Sequence, residues 1–405
     1  MDVAALFSKD AEAFQPSAIR ALAPLLNDSS VISFAAGVPN PETFPAEALR
    51  EAADRVLRDL PKRALQYDVT RGYLPLRERV AARGAALGLA ATGGETLLTT
   101  GSQQALDLAA RVLFDPGDVV LVEVPTYVGA LVTFAARRAR PVGIVRTAEG
   151  IDLAHLRATV SRLRGEGERV KALYVIPNFQ NPSGLAMTRA AKDALAEAVA
   201  ELDLLLLEDD PYGELSFGNP ESFDRTPVAV RQPGRTVYLG SFSKTLAAGF
   251  RVGWMHGPES FLSRAELAQQ AVALCPSTFT ASVLESYLAH NDYDAHLESL
   301  RGFYRTRKNV LLAALGEHFP KAIAYSDPAG GLFTWASLPA GMNAAALLPR
   351  CVAETKTAYV PGASFVVEGD GTPFFRMTYA KETAELLAEG ARRLGAFFAR
   401  EMESR

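Results

Sequence analysis

A chain of 405 residues is longer than one hydrophobic core usually serves, so two domains are expected. With 48% apolar and 22% charged residues it has the composition of a soluble globular protein, and a formal charge of −4 gives no basic field for a nucleic-acid backbone or an anionic membrane surface. Nucleic-acid binding and membrane attachment are thereby disfavoured, and small-molecule chemistry is the better expectation.

The N-terminal stretch MDVAALFSKDAEAF has an acidic second residue and only a short apolar run, so neither a signal peptide nor a transit peptide is expected. No uninterrupted apolar run of about 20 residues appears, which argues against a membrane span. Cys275 and Cys351 are too few and too far apart for a disulfide framework or a CxxC pair, and read as structural thiols of a reducing compartment. The expected location is cytoplasmic.

Further along, apolar runs alternate with helical patterns. Strands are predicted at GDVVLVEVP near 119, VKALYVIP near 171, LDLLLLEDD near 203, TVYLGSFS near 236 and RVGWMHGP near 252. Their continuous hydrophobicity is what a sheet covered on both faces requires. Between them SQQALDLAARVLF and TRAAKDALAEAVAEL read as helices, so residues 65–290 are expected to form a large α/β domain with a mainly parallel sheet. Beyond it, HLESLRGFYRTRKNVLLAALGEHF reads as one long helix, followed by short strands around GGLFTWASLP, AYVPGASF and FFRMTYA and by a closing helix. Residues 291–405, together with residues 1–64 and their segment QPSAIRALAPLL, are expected to form a smaller α+β domain. No internal repeat is evident, and a cleft between the two domains is the expected ligand site.

Open α/β sheets bind ligands beyond the carboxyl ends of their strands. Here those ends deliver Asn181 after ALYVIPNFQ, then Glu208, Asp209, Asp210 and Tyr212 after LLLL, and Ser241, Ser243, Lys244 and Arg251 after VYLG. Lys244, taken alone, reads as a solvated turn lysine; its company makes the difference. An amine, carboxylates, a phenol, an amide and phosphate-binding groups together match pyridoxal phosphate, whose aldehyde needs an amine, whose ring nitrogen needs an acid and whose phosphate needs donors.

The motifs GSQQALDL, VEVPTY, NFQNPSG, EDDPYGEL, SFSKTLAAGFRVGW and FFRMTYA, in that order, resemble the fold-type I, aspartate-aminotransferase-like family of pyridoxal-phosphate enzymes. The branch containing 2-aminoadipate and aromatic aminotransferases is the most similar, and the likeness extends from SFAAGVPNPETFP to Arg376. The resemblance implies that Lys244 forms the Schiff base and, once freed by substrate, moves a proton between Cα and the cofactor. It implies that Asp209, three residues before Tyr212, faces the pyridine nitrogen, with Asp210 as the competing carboxylate. Asn181 and Tyr212 would bond the cofactor's 3′-oxygen, and Tyr127 would stack on its ring. Ser102, Gln103, Ser241, Ser243 and Arg251 would bind the phosphate, joined by Tyr67 from a neighbouring subunit of a homodimer with shared active sites. Arg376, with Asn181, would take the substrate α-carboxylate, and Gly37 and Arg20 would contact the rest of the substrate.

Substrate choice stays open. AVALCPSTFTAS, expected to line the entrance, is apolar and hydroxyl-rich, which suits aromatic or branched side chains, whereas Arg20 would suit 2-aminoadipate, glutamate and 2-oxoglutarate. The expected reaction is transfer of an amino group from an L-amino acid to 2-oxoglutarate by a ping-pong cycle. A lyase or decarboxylase on the same fold is the alternative, and the effector domain of a transcription regulator is disfavoured because the family pattern begins so near Met1.

Overall fold

Residues 1–8, 11, 28, 30–218 and 224–404 are described by the computed structural model. Its strands are β1 (Ile32–Ser33), β2 (Thr96–Thr99), β3 (Val119–Val124), β4 (Arg140–Val145), β5 (Val170–Val175), β6 (Leu205–Asp209), β7 (Thr236–Ser241), β8 (Gly253–His256), β9 (Ala324–Tyr325), β10 (Phe333–Ser337), β11 (Thr357–Ala358), β12 (Val360–Pro361) and β13 (Phe374–Thr378). A seven-stranded sheet has the order β2-β8-β7-β6-β5-β3-β4. Within it β7, β6, β5, β3 and β4 are parallel, and β8 lies antiparallel between β7 and β2.

Every inner strand that the apolar runs predict is present, and alternation explains how each is buried twice over. Val120, Val122, Tyr174, Leu207 and Leu239 face one side, beneath the helices Ser102–Leu113 and Glu259–Ala273. Val119, Leu121, Leu173, Val175 and Leu206 face the other, beneath Leu153–Gly165 and Arg189–Glu201. Each such side chain contributes roughly 1.5–3 kcal/mol by leaving water. Two strands escaped the hydrophobic reading, β2 and β4, and both are edges of the sheet. β4 carries a proline at its second position and exposes Arg140 and Val145 at its ends, which are the marks of an edge rather than of a buried run.

The C-terminal part carries a four-stranded antiparallel sheet in the order β12-β13-β10-β9. The long helix Tyr293–His318 and the closing helix Ala384–Glu403 pack together beside it. β1 pairs in parallel with β11, which ties the N-terminal stretch to the C-terminal part. The helix Ala46–Asp59 instead packs through Ala52 and Val56 against the helix Thr278–His290. The segment QPSAIRALAPLL, with Arg20, lies outside the described residues. Among the described residues no helix is long and apolar enough to cross a membrane.

Candidate active site

Strand ends and one strand of the smaller sheet converge on a cavity of ≈ 530 Å³. β6 delivers Asp209 and then Tyr212; the turn after β7 delivers Ser243 and Lys244; the turn after β5 brings Asn181; and β3 leads to Tyr127. Arg376 enters from the middle of β13, paired across the sheet with Trp335 and Val360. Gly37, Ser102, Gln103 and Arg251 complete the residues nominated from the sequence that line this space.

The two carboxylates that the sequence leaves in competition point to opposite faces of the sheet. Successive strand residues alternate, so Asp209 shares a face with Leu207, while Glu208 and Asp210 turn the other way. Asp209 lines the cavity and Asp210 does not. Asp210 is already partnered, by Asn178 Nδ2 at 3.0 Å, the Gly213 N–H at 3.0 Å and the Tyr238 hydroxyl at 3.1 Å. Asp209 has one partner only among the described residues, the Tyr174 hydroxyl, which donates to Oδ2 at 2.8 Å, and its Oδ1 is buried with none. Burial pushes the Asp209 carboxyl up to about 7, opposed by the Tyr174 hydrogen bond and the Lys244 charge.

Lys244 donates to the Gly37 carbonyl at 3.1 Å. Burial, reinforced by Arg376 and Arg251, brings its amine down to about 8, against the opposing pull of Asp209. A lysine lowered to about 8 is still mostly protonated at neutral pH, yet it releases its proton far more readily than a free amine, as a nucleophile or base must. Arg376 is 1% exposed and has no carboxylate partner among the described residues. Its Nη1 donates to Asn181 Oδ1 and its Nη2 to the Ala35 carbonyl, both at 2.8 Å, while Nε is buried without a partner among the described residues. The guanidinium lies 4.3 Å from the Phe333 ring centre and 5.2 Å from that of Phe365. Burial lowers it to about 10. A buried guanidinium left with donors to spare is an anion site waiting for a carboxylate.

At the other end of the cavity the helix Ser102–Leu113 begins without a side-chain cap, behind Gly101 at φ 78°. Its positive end and uncapped N–H groups suit an anion. Arg251, itself left-handed at φ 52°, reaches across with Nη1 3.2 Å from Ser243 Oγ and Nη2 3.3 Å from the Thr100 carbonyl. A side chain on Gly101 would collide with the Arg251 guanidinium, and one on Gly253 would stand 2.6 Å from the Ser102 nitrogen. Gln103 gives its amide to Thr133 Oγ1 at 2.7 Å and accepts from the Tyr127 hydroxyl at 3.1 Å, holding Tyr127 at the cavity wall.

Some nominated residues lie elsewhere. Ser241 does not line the cavity; its hydroxyl stands behind Ser243, donating to that Oγ at 2.9 Å. Tyr67 is 76% exposed and lines a separate depression. The segment AVALCPSTFTAS does not line the entrance, because the chain turns at Leu274 (φ 62°) and carries Cys275 to Phe279 into that same depression. Sequence reasoning missed Tyr174, which reads as one more strand residue. It also missed Val38, Val128 and Val132, which give the cavity an apolar wall. The strand parity of Tyr174 and Asp209 was the available signal for the first.

These residues fit pyridoxal phosphate. The aldehyde would meet Lys244, the ring nitrogen the orphaned Asp209 Oδ1, and the phosphate the uncapped helix with Arg251 and Ser243. Comparison with known proteins agrees. Residues 29–394 match the family model for aminotransferase class I and II. The chain is 37% identical to an aromatic-amino-acid aminotransferase of Thermococcus litoralis, over 100% of this chain and 96% of that protein. It is 39% identical to a 2-aminoadipate transaminase of Thermus thermophilus, over 96% of this chain and 95% of that one. The crystal structure of alpha-aminoadipate aminotransferase from Thermus thermophilus, complexed with N-(5′-phosphopyridoxyl)-L-leucine, matches it with a TM-score of 0.90 and 36% identity over 100% of both chains. The chain belongs to the class I and II aminotransferases, as a pyridoxal-phosphate-dependent enzyme of fold type I.

Proposed function

We propose that this aminotransferase takes an L-amino acid with an aromatic or branched side chain and passes its amino group to 2-oxoglutarate in two successive half-reactions through one site. The observation that carries this reading is the pairing of Arg376 with an apolar wall. Of the described residues lining the cavity, the cations are Lys244, Arg251 and Arg376, and the apolar lining includes Val38, Val128 and Val132. Arg376 with Asn181 would grip the α-carboxylate, and the valines would receive an apolar side chain. Arg20 remains the residue proposed for acidic partners, 2-aminoadipate and the oxo acid among them, and the name of the Thermus thermophilus relative favours that second donor class.

Pyridoxal phosphate, when bound, supplies the electron sink that lets the bonds at Cα break. The chain supplies the rest. Lys244 would hold the cofactor and, once displaced, move a proton at the substrate Cα. Asp209 would hold the ring nitrogen's proton. Tyr212, which lies within hydrogen-bonding reach of Asn181, would donate with it to the 3′-oxygen. Gly37 would shape the substrate's approach, Tyr127 would cover the ring, and Ser102, Gln103, Ser243 and Arg251, backed by Ser241, would hold the phosphate.

A homodimer is part of the proposal. Leu65 and Tyr67 are exposed apolar residues lining the depression they share with Cys275, and Val69 and Leu274, also exposed, are their near neighbours in the chain. A second copy seated there would cover them and bring its Tyr67 toward the phosphate end of this site. A cytoplasmic location and a division into residues 65–290 and a smaller unit of 1–64 with 291–405 belong to the same reading.

The measurement that tests it is the visible spectrum of the loaded enzyme mixed, one at a time, with phenylalanine, leucine, kynurenine, glutamate and 2-aminoadipate, without an oxo acid. The lysine-bound band should give way to the amine form fastest with phenylalanine or leucine. Faster conversion by 2-aminoadipate would transfer the role to Arg20, and a band that no donor converts would favour the lyase alternative.

A further inference from the structure

Tyr174 lies outside the set of residues assigned above, yet it is the sole described partner of the carboxylate that faces the cofactor ring. It is 0% exposed and sits near the end of β5, where it pairs with Leu207 of β6. Leu207 and Asp209 share a face, so Tyr174 stands one pleat below Asp209, about 6.6 Å along the strand at roughly 3.3 Å per residue. A phenol spans that distance, and its hydroxyl meets Asp209 Oδ2 at 2.8 Å. The ring has little freedom to choose otherwise. It is packed edge-to-face against Phe134 with centroids 5.8 Å apart, and Phe134 is packed in the same way against Phe114, also at 5.8 Å.

We propose that Tyr174 is a positioning residue for the reaction. By holding Oδ2 it fixes the rotation of the Asp209 carboxylate, turns the unpartnered Oδ1 toward the cavity, and favours the ionised carboxylate over the acid. The inference rests on the reading that Asp209 faces the pyridine nitrogen. An ionised, correctly turned carboxylate keeps the shared proton on the ring nitrogen, where the electron sink needs it. Without the phenol, the proton's place shifts toward Asp209, because a buried carboxylate with no donor is more basic. The phenol keeps its own proton throughout, since burial and the neighbouring carboxylate both oppose its ionisation. A tyrosine is therefore a permanent donor here, which a histidine or a water molecule would not be.

The test loads the full-length protein with pyridoxal phosphate labelled with ¹⁵N in the ring and reads the ring-nitrogen resonance at neutral pH in wild type, Tyr174→Phe and Asp209→Asn. Wild type should give the protonated resonance, Asp209→Asn the unprotonated one, and Tyr174→Phe a value displaced toward the unprotonated end. The half-reaction rate of Tyr174→Phe should fall roughly 10- to 100-fold, the effect of one lost hydrogen bond to a buried charge, with little change in substrate KM. A wild-type resonance in Tyr174→Phe beside a displaced one in Asp209→Asn would reduce Tyr174 to packing and overturn the proposal. An undisplaced resonance in Asp209→Asn would instead overturn the reading of the site on which it rests. Phe134→Leu, which loosens the phenol without removing it, provides a second variant should Tyr174→Phe fold poorly. Its resonance should lie between wild type and Asp209→Asn, and coincidence with wild type would count against a positioning role.

Discussion

The two faces of β6 hold similar chemistry and put it to different use. On one face Glu208 and Asp210 are buried beside Lys192, itself 0% exposed. Glu208 accepts from the Val228 and Ala229 N–H groups at 2.9 and 2.8 Å, and Lys192 donates to Asn178 Oδ1 and the Asp224 carbonyl at 2.8 and 2.7 Å. On the other face Asp209, and facing the same cavity Arg376 from β13, each keep a buried polar atom with no partner among the described residues, and Lys244 lines that cavity too. Burial raises Glu208 to about 7, just as it raises Asp209. A shifted carboxylate therefore does not separate the faces. Hydrogen-bond capacity left unused does, because such a group is costly to keep unless a ligand completes it.

The comparison breaks most visibly at Lys244. Lys244→Ala should lower turnover by about 10³-fold or more and remove the visible band of the bound cofactor, as followed by absorbance and steady-state rate. The carboxylate pair sharpens it. Asp209→Ala should cost roughly 10²-fold in kcat, whereas Asp210→Ala should leave kcat nearly unchanged and cost about 2–4 kcal/mol of stability in denaturant unfolding, since three donors lose their acceptor. The reverse ranking would exchange the two faces.

A pH titration of stability probes Lys244 without cofactor. Lys244 is lowered from 10.5 to about 8 in the fold. The unfolded chain then binds more protons between these values, so the cofactor-free protein should gain stability as pH rises from about 8 to about 10.5. At about 1.4 kcal/mol per pH unit the gain is roughly 3 kcal/mol, and it should be missing from Lys244→Met. Arg376→Lys should cost about 2 kcal/mol in kcat/KM, because a point charge replaces a planar fork. The smallest effect is expected at Lys192→Met: about 1 kcal/mol of stability and no change in kcat. The lost hydrogen bonds there are largely offset by relief of a buried charge.

Much of the site was legible because inner strands of a covered sheet are continuous apolar runs, and the polar residues that follow them must lie at one edge. The edge strands β2 and β4 were not, since an edge tolerates the arginine, proline and short length that disguise it. Choosing Asp209 over Asp210 from the distance to Tyr212 gave the cavity-facing carboxylate, but alternation along LLLLED gives the physical reason. Ser241 stands one step behind Ser243 for a related cause: of two hydroxyls two residues apart, one lies on β7 and the other beyond its end, and the latter lines the cavity. Tyr67 and the Cys275 segment stand away from this cavity, and the roles proposed for them need a second copy, which no single chain's pattern contains.

The crowding of Gly101, Arg251 and Gly253 bears on how this enzyme changes over generations. Any side chain at 101 strikes the Arg251 guanidinium, and any at 253 strikes the backbone of 101 and 102. Gly101 and the pair Arg251 and Gly253, about 150 residues further along the chain, thus behave as one unit. A side chain at 101 requires the Arg251 guanidinium to move and one at 253 requires the backbone of 101 and 102 to move, so this anion cradle admits few single replacements.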